Sequence, residues 1–221
     1  PVANDDMQSA APETAVVVDL LVNDSDPDGD PLEVVDATLA DPTQGTLVRN
    51  PDGSYTFTSA PGVSGAVVIN YTIRDQDGAT DSATHTVNVA NQPPQLVDPD
   101  PTPGTPEIDP ADPTNLIVPA VDNVPVSVDL DEYFTDPNTG DTLTITIDPS
   151  DLPSWASFDP STGVLSGTPP VDNTGPVVIP VTVDDGNGGS FTGTVTIDPV
   201  NPPPVANDDM QSAAPETAVV V

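Results

Sequence analysis

The segment DSDPDGD at residues 24–30 holds the densest group of oxygen donors in the chain. Its four carboxylates belong to Asp24, Asp26, Asp28 and Asp30. They are spaced two residues apart and project to one side of a tight loop, as hard divalent cations require; Ca²⁺ takes about 6–8 oxygens in irregular geometry, whereas Mg²⁺ demands a stricter octahedron. The segment begins like the calcium loop of a helix–loop–helix motif, but Val35 replaces the bidentate glutamate that ends such loops. The remaining ligands must therefore come from elsewhere in the fold.

Two further acidic segments can supply those ligands. Asp75 and Asp77 lie at the turn between the last two predicted strands of the first domain, and the run Asn4, Asp5, Asp6 stands near the start of the chain. In a Greek-key sandwich, the loop after the second strand and the loop before the last strand lie at the same pole, which the incoming chain also reaches. We therefore predict that the three segments converge on a Ca²⁺ site that locks the angle between neighbouring domains.

The second half of the chain repeats this distribution of acidic residues. One loop region carries Asp129, Asp131, Asp136, Asn138 and Asp141, and a later loop carries Asp184, Asp185 and Asn187. A bare turn is the alternative for each loop, because aspartate caps turns through hydrogen bonds to its own backbone without any metal.

The charge balance excludes two classes of partner. The chain has two basic side chains, Arg49 and Arg74, and 36 acidic ones, which gives a formal net charge of −34. Nucleic acids and anionic membranes are bound through Lys and Arg, so we expect neither as a partner. Direct membrane insertion is not expected either, because no apolar run approaches the roughly 20 residues of a membrane span. The two arginines are expected to form charge pairs.

The composition also predicts that the chain is not an enzyme. One histidine and no cysteine preclude a zinc cluster or a Cys–His pair, and an aromatic content of 4% is too low for the platforms of a glycosidase cleft. We expect His85 to be a half-buried strand residue, because alternation places it on the same face of the strand as Val87 and Val89. Trp155 is expected in the core; the alternative is sugar stacking on its ring, in a carbohydrate-binding second domain.

Residues 1–18 recur unchanged as residues 204–221, so the chain holds one 203-residue period and the start of the next. Such a period suits two sandwich domains of about 100 residues each, and tandem repetition is typical of fibres, stalks and adhesins. Alternating apolar residues such as Val67, Ile69 and Tyr71 predict strands, while amphipathic helical spacing is absent. We therefore predict an all-β fold of two tandem Greek-key Ig/cadherin-like sandwich domains, with disorder as the alternative for a chain of 30 prolines.

The predicted boundaries follow the proline-rich and turn-rich segments. They give a first domain at 1–90, a Pro/Asp-rich spacer at 91–114, a second domain at 115–200, and a linker with the first strand of the next repeat at 201–221. Strands are predicted at 14–22, 32–39, 45–49, 54–58, 66–74 and 79–89, and then at 115–121, 125–130, 142–147, 164–166, 177–183 and 190–197. The spacer is expected to be semi-stiff and extended, or in part an insertion lying on a domain surface.

Two stretches of the sequence resemble known families. The pattern PVANDD followed by VVVDLLVNDSDPDGDPLEV resembles the cadherin-like tandem repeats of large bacterial surface adhesins. The second half of the chain is similar to dystroglycan-type cadherin-like (Ig-like) domains. The similarity lies in the segments DLDEYFTDPNTGDTLTI, LPSWASFDPSTGVLSGTP and VTVDDGNGGSFTGTVTI. The resemblance implies sandwich domains strung end to end, with Ca²⁺ shared at each junction by a glutamate, an Asn/Asp linker and aspartates of two loops. The residues that match these roles are Glu13, Asn4, Asp5, Asp6, Asp24, Asp26 and Asp75, and at the following junction Asn201, Asn207, Asp208 and Asp209.

These observations predict a structural extender of an extracellular adhesin, on the cell surface or secreted. Ca²⁺ at the junctions would stiffen it, adjacent copies of the repeat would be its partners, and it would project a distal binding domain for cell adhesion or biofilm attachment. A self-assembling extracellular filament or surface layer, in which further copies associate, is the second hypothesis. Adaptation to salt is a third, but the acidic residues cluster in loops rather than over strand faces, which favours calcium.

Overall fold

A computed structural model of the chain describes residues 1–171 and 175–200. Within them the regular structure is strand, apart from two short 3-10 helices at Pro42–Gln44 and Leu130–Tyr133. The all-β prediction is therefore confirmed. The strands of the first domain are β1 (Asp6–Ala10), β2 (Val16–Val18), β3 (Glu33–Leu39), β4 (Gly45–Arg49), β5 (Tyr55–Ser59), β6 (Gly65–Arg74) and β7 (Thr80–Val89).

The first domain is a sandwich of two sheets. One sheet has the strand order β1-β7-β6-β3, in which β1 runs parallel to β7, and the other has the order β2-β5-β4. Alternate residues of β6, among them Val67, Ile69 and Tyr71, are buried, as their spacing predicted. Phe57 of β5 is fully buried in the same core. The chain crosses between the sheets after β1, β2, β3 and β5. In such a sandwich the loops that follow β2 and β6 lie at one pole.

The second domain has the same arrangement of its main strands. The strands from the end of the first domain onward are β8 (Gln95–Leu96), β9 (Glu107–Asp109), β10 (Asp112–Val121), β11 (Val126–Asp129), β12 (Phe134–Thr135), β13 (Thr144–Thr146), β14 (Ala156–Asp159), β15 (Val164–Gly167), β16 (Val177–Asp184) and β17 (Ser190–Val200). The larger sheet has the order β13-β16-β17-β10-β9, with β10 parallel to β17, and the smaller has the order β11-β15-β14. In both domains, therefore, an early strand lies parallel to the last one.

The core of the second domain lies between its two sheets. Leu116, Leu130, Leu165, Ile179 and Val195 are fully buried or nearly so. Trp155 is half-buried and packs against this core.

Part of the proline-rich stretch lies on the second domain. β8 pairs antiparallel with β12, and β9 pairs antiparallel with β10. Leu96 packs against the second core, and the Val97 N–H donates to the Tyr133 carbonyl at 2.8 Å. Of the two possibilities predicted for residues 91–114, these contacts favour an insertion on a domain surface over a free spacer.

Candidate metal centre

Three carboxylates meet at one pole of the second domain. Asp136 and Asp141 lie in the loop between β12 and β13, and Asp185 lies in the loop between β16 and β17. One oxygen from each residue lies within 4.8 Å of the other two, and among the described residues this is the one group of three or more His, Cys, Asp or Glu side chains that meets so closely. All three residues were predicted as metal ligands.

Each loop holds its aspartate through hydrogen bonds from the loop's own backbone. Asp136 Oδ1 accepts from the Asn138 N–H at 2.7 Å. Asp185 Oδ1 accepts from the N–H groups of Asn187 at 2.7 Å and Gly189 at 2.9 Å. Burial alone would raise the pKa of Asp185, but these bonds and one from the Asn91 amide outweigh it and lower the pKa. The carboxylate therefore stays ionised.

The chain leaving the first domain runs directly past these carboxylates. The Asn91 side-chain amide donates to Asp185 Oδ2 at 2.6 Å, and the Gln92 N–H donates to Asn138 Oδ1 at 2.7 Å. Position 189 has no room for a side chain, because a Cβ there would lie 2.2 Å from Asp185 Oδ2 and 2.9 Å from the Asn91 amide nitrogen. The candidate centre thus lies at the junction between the two domains.

Several oxygens of the centre are buried without a hydrogen-bond partner. They are Asn91 Oδ1, Asp136 Oδ2 and Asp141 Oδ2. Leaving a buried carboxylate or amide oxygen unpaired is costly, so their free lone pairs favour a ligand at this point. Carboxylate and amide oxygens form a hard donor set with three negative charges, which fits Ca²⁺ better than a softer transition metal.

The first domain has the same three positions at its own pole. Asp26 Oδ1 accepts from the Asp28 N–H at 2.8 Å, as Asp136 does from Asn138. Asp75 Oδ1 accepts from the Ala79 N–H at 2.8 Å, as Asp185 does from Gly189. Asp30 precedes β3 as Asp141 precedes β13.

Several carboxylates lie close enough to repel one another at this first-domain pole. Burial, followed by repulsion from Asp77 and the neighbouring carboxylates, raises the pKa of Asp30. Asp26, Asp30, Asp75 and Asp77 therefore share one negative field, to which Asp28 also contributes.

Asn4 and Asp24 form a separate cluster beside this pole. The Asn4 N–H donates to Asp24 Oδ1 at 2.8 Å, and the Tyr71 hydroxyl lies 3.2 Å from each Asp24 oxygen. Burial raises the pKa of Asp24, and it also raises the pKa of Tyr71. These contacts join the incoming chain to the loop after β2.

The carboxylates of Asp5 and Asp6 contact β7. Asp5 Oδ1 accepts from both the N–H and the hydroxyl of Thr84 at 2.9 Å. Asp6 Oδ2 lies 3.7 Å from Nδ1 of His85, which is buried in β7. No described contact joins either carboxylate to Asp26.

The remaining predicted ligands are not among the three carboxylates that meet within 4.8 Å, or they lie outside the described residues. Glu13 is exposed, has a φ of 53°, and follows β1 at the end of the first domain where Asn91 leaves it. Asp131 lies against Gly163, where an added Cβ would come within 2.5 Å of its carboxylate. Asp184 is exposed and accepts from the Gly186 N–H at 2.8 Å. Asn201, Asn207, Asp208 and Asp209 lie outside the described residues.

Two residues that the sequence reading missed have buried, unpartnered oxygens. Asn91 follows the last predicted strand of its domain and precedes prolines, as Asn201 does in the second domain. Because Asn201 was predicted as a ligand, this similarity could have identified Asn91 as one. Asp122 is 4% exposed, and neither of its carboxylate oxygens has a partner. Its N–H donates to the Val200 carbonyl at 3.2 Å, so it lies at the end of β17, and no spacing in the sequence pointed to it.

Both halves of the chain match domain families. Residues 1–91 match the family described as the bacterial cadherin-like domain, and residues 108–199 match a family described as an Ig domain. No curated protein matches the chain. In the part of the chain that the structure describes, no helix has the length and apolar character to cross a membrane.

Solved structures with a similar fold include cadherin repeats. Protocadherin Gamma B7 extracellular cadherin domains 1-4 are 14% identical, with a TM-score of 0.40, over 90% of this chain and 49% of that one. Mouse Cadherin-23 EC22-24 is 16% identical, with a TM-score of 0.39, over 89% of this chain and 62% of that one. An endo-fucoidan hydrolase of glycoside hydrolase family 107 is 19% identical, with a TM-score of 0.34, over 90% of this chain and 28% of that one. The chain thus spans less than two thirds of each of these structures.

Cadherin-like and Ig-like domains are extracellular, typically non-enzymatic structural modules of adhesion-type proteins, and cadherin-like domains generally bind calcium. The two-sheet arrangement occurs twice in this chain, and each copy coincides with one family match. Residues 1–91 therefore form a bacterial cadherin-like domain, and residues 108–199 form an Ig-like domain.

Proposed function

We propose that this chain is a calcium-stiffened extender of an extracellular adhesin, on the cell surface or secreted. Each junction between domains binds Ca²⁺, and the stiffened array holds a distal binding domain away from the cell for attachment to cells or to a biofilm. Adjacent copies of the same repeat are its partners. The extender is a structural element and not an enzyme.

The observation that carries this proposal is the position of the candidate centre between two domains. Asp136, Asp141 and Asp185 belong to the second domain, whereas Asn91 comes from the chain that leaves the first. An ion held by all four residues would bind the two domains to each other. Binding energy would then oppose bending at the junction.

The charge of the chain gives the ion a second effect. The described folds carry most of a net charge of −34, and this self-repulsion opposes compaction. Ca²⁺ bound by the folded state alone stabilises it by about 2.7 kcal/mol when its concentration is 100 times Kd. Extracellular modules bind Ca²⁺ with Kd values of about 10⁻⁴–10⁻³ M, so about 1 mM Ca²⁺ would fill half or more of the sites and stabilise the fold by about 0.4–1.4 kcal/mol for each ion.

The first-domain pole supports repetition of the same scheme. Asp26, Asp30 and Asp75 occupy the positions that Asp136, Asp141 and Asp185 occupy in the second domain, and Asp26 and Asp75 accept from the same backbone N–H positions, two and four residues further on, as Asp136 and Asp185 do. A preceding repeat would meet the first domain at this pole, as the first domain meets the second. The array would then contain an ion site at every junction.

Calcium titration calorimetry of the chain and of Asp185→Asn tests the proposal. The substitution removes one of three charges from the junction centre, so we expect Ca²⁺ to bind there at least about tenfold more weakly, as loss of a ligand charge predicts. Asp159→Asn is the matched control, because Asp159 is exposed and accepts from Ser161 at 2.9 Å in a similar turn. A chain that binds no Ca²⁺ at millimolar concentration, or an Asp185→Asn variant that binds like the control, would contradict the proposal.

A further inference from the structure

One loop of the first domain holds the acidic loop of the second. The Gly62 carbonyl accepts hydrogen bonds from the Thr139 N–H at 2.8 Å and from the Thr139 hydroxyl at 3.2 Å. Thr139 stands between Asp136 and Asp141 in the sequence, in the same loop. A displacement of Thr139 would therefore move two of the three carboxylates of the candidate centre.

The contact is close enough that no side chain fits at position 62. Gly62 has a φ of +75°, in the region that favours glycine. A Cβ there would lie 2.6 Å from Thr139 Cγ2 and 3.1 Å from both the Pro137 carbonyl oxygen and the Thr139 nitrogen. Any substitution of Gly62 must therefore separate the two loops or deform one of them.

The chain between the domains holds both acidic loops as well. Gln92 donates to Asn138 in the first acidic loop, and Asn91 donates to Asp185 in the second. Together with the contact at Gly62, these bonds fix the two loops relative to the first domain. The carboxylates are thus positioned by a neighbouring domain as well as by their own.

We infer that the contact between Gly62 and Thr139 is a clasp that completes the cation site of the second domain. The inference rests on the proposed function, since it concerns the same site. While the clasp is closed, Asp136 and Asp141 face Asp185 at binding distance; when it opens, the site loses its geometry and its affinity. By thermodynamic reciprocity, the bound cation stabilises the closed clasp by the same factor.

Calcium titration followed by amide NMR on the full chain tests this inference, because each centre has its own reporters. The N–H groups of Asn138 and Gly189 donate to Asp136 and Asp185 and report on the junction centre. The N–H groups of Asp28 and Ala79 donate to Asp26 and Asp75 and report on the first-domain pole. A Kd for Ca²⁺ can therefore be read at each centre in the same sample.

Gly62→Ala is the test variant and Gly53→Ala is its matched control. Both glycines have positive φ, but a Cβ at Gly53 would meet nothing within 4 Å, so the control carries the backbone strain without the clash. We expect Gly62→Ala to raise the junction Kd about tenfold, within the range for contacts that support metal ligands, and to leave the first-domain Kd within twofold. Gly53→Ala should change neither value.

Two outcomes separate the clasp from the proposed function. If the unsubstituted chain binds Ca²⁺ at the junction and Gly62→Ala binds it equally well, the clasp is overturned and the proposed function stands. If the junction reporters of the unsubstituted chain do not respond to Ca²⁺, both are overturned. Thr139→Ala serves where Gly62→Ala fails to fold: it removes the hydroxyl bond, and we expect a smaller rise in the junction Kd, whereas an unchanged Kd overturns the clasp.

Discussion

At the scale of the residue, the two carboxylate oxygens of an aspartate have different roles, one in the turn and one in the candidate metal centre. Asp136 and Asp185 each accept backbone N–H groups on one oxygen, which forms the turn, and direct the other oxygen elsewhere. Asp159 makes the same turn with Ser161, yet it lies in no cluster. A turn-capping aspartate and a candidate metal ligand therefore share their local geometry and differ in what the rest of the fold brings near them.

This distinction marks how far the sequence predicts the candidate site. The sequence predicted that the two acidic loops meet at one pole, but it did not distinguish Asp136, Asp141 and Asp185 from their acidic neighbours on the same loops. Asp131 was predicted for the same reason, but it lies in a 3-10 helix against Gly163. Asn91 escaped prediction because its role depends on where the chain turns after the first domain, which no local pattern records.

Substitution of Asn91 tests its proposed part in the junction. Asn91→Ala removes the bond to Asp185 and the unpaired Oδ1, so we expect about tenfold weaker Ca²⁺ binding at the junction, measured by calorimetry. Asn88→Ala is the control, because Asn88 lies on β7 of the first-domain sheet, three residues before Asn91. Equal affinity in the two variants would show that Asn91 is only a linker residue.

His85 predicts a dependence of stability on pH. Burial lowers the pKa of His85, while Asp6 and then Asp19 oppose the shift by attraction. Because the folded pKa lies below the ordinary value of about 6.5, the unfolded chain binds more protons as the pH falls through that value. The stability that neutral His85 contributes is thus present above pH 6.5 and is lost as the pH falls towards the folded pKa.

Urea unfolding at pH 8 and pH 5.5, in EDTA, measures this effect against His85→Gln. The unsubstituted chain should lose more of its free energy of unfolding between the two pH values than the variant, which cannot titrate at this position. The acidic groups away from His85 titrate alike in both proteins and cancel in the comparison, so the difference reports His85 together with its partner Asp6. Parallel losses in the two proteins would show that His85 is accessible to protons in the folded state.

At the scale of the element, the strands that alternation predicted are those with a buried face. β4 and β5 lie at or within a residue of the predicted ranges, and β6 and β7 extend as predicted. β1 was not predicted because its sequence, DMQSA, lacks apolar alternation, and Met7 is 72% exposed. The segment is a strand because it pairs in parallel with β7. β8 and β9 were missed because prolines surround them and only pairing with another segment makes them strands.

Gly193 shows what close packing demands of a central strand. β17 lies between β16 and β10, and a Cβ at position 193 would come 2.1 Å from the Thr114 carbonyl oxygen and 2.7 Å from the Phe191 ring. We expect Gly193→Ala to lower the free energy of unfolding by about 1–3 kcal/mol, the usual cost of overpacking. Urea titration measures it, with Ser190→Ala at the exposed start of the strand as the control. An unchanged urea midpoint would mean that β10 and β17 move apart to admit the methyl group with no loss in the free energy of unfolding.

At the scale of the whole molecule, two small cores must hold a strongly acidic chain without a disulfide. The sequence has no cysteine, and its few basic side chains include Arg74, which pairs with exposed Glu33 as expected. Exposed pairs of this kind contribute little to stability. The sequence therefore indicated that charge must be neutralised elsewhere, and the poles of the two domains are where the carboxylates gather.

The most direct test of calcium stiffening is small-angle X-ray scattering of the chain in excess Ca²⁺ and in EDTA, with Asp185→Asn measured alongside. We expect one extended, narrow distribution of interdomain distances in Ca²⁺ and a broader one in EDTA, because the junction loses the ion that joins Asn91 to the second-domain carboxylates. At a Ca²⁺ concentration that fills the unsubstituted junction but lies below the raised Kd of Asp185→Asn, the variant should scatter as the unsubstituted chain does in EDTA. Identical profiles in Ca²⁺ and EDTA would contradict the account.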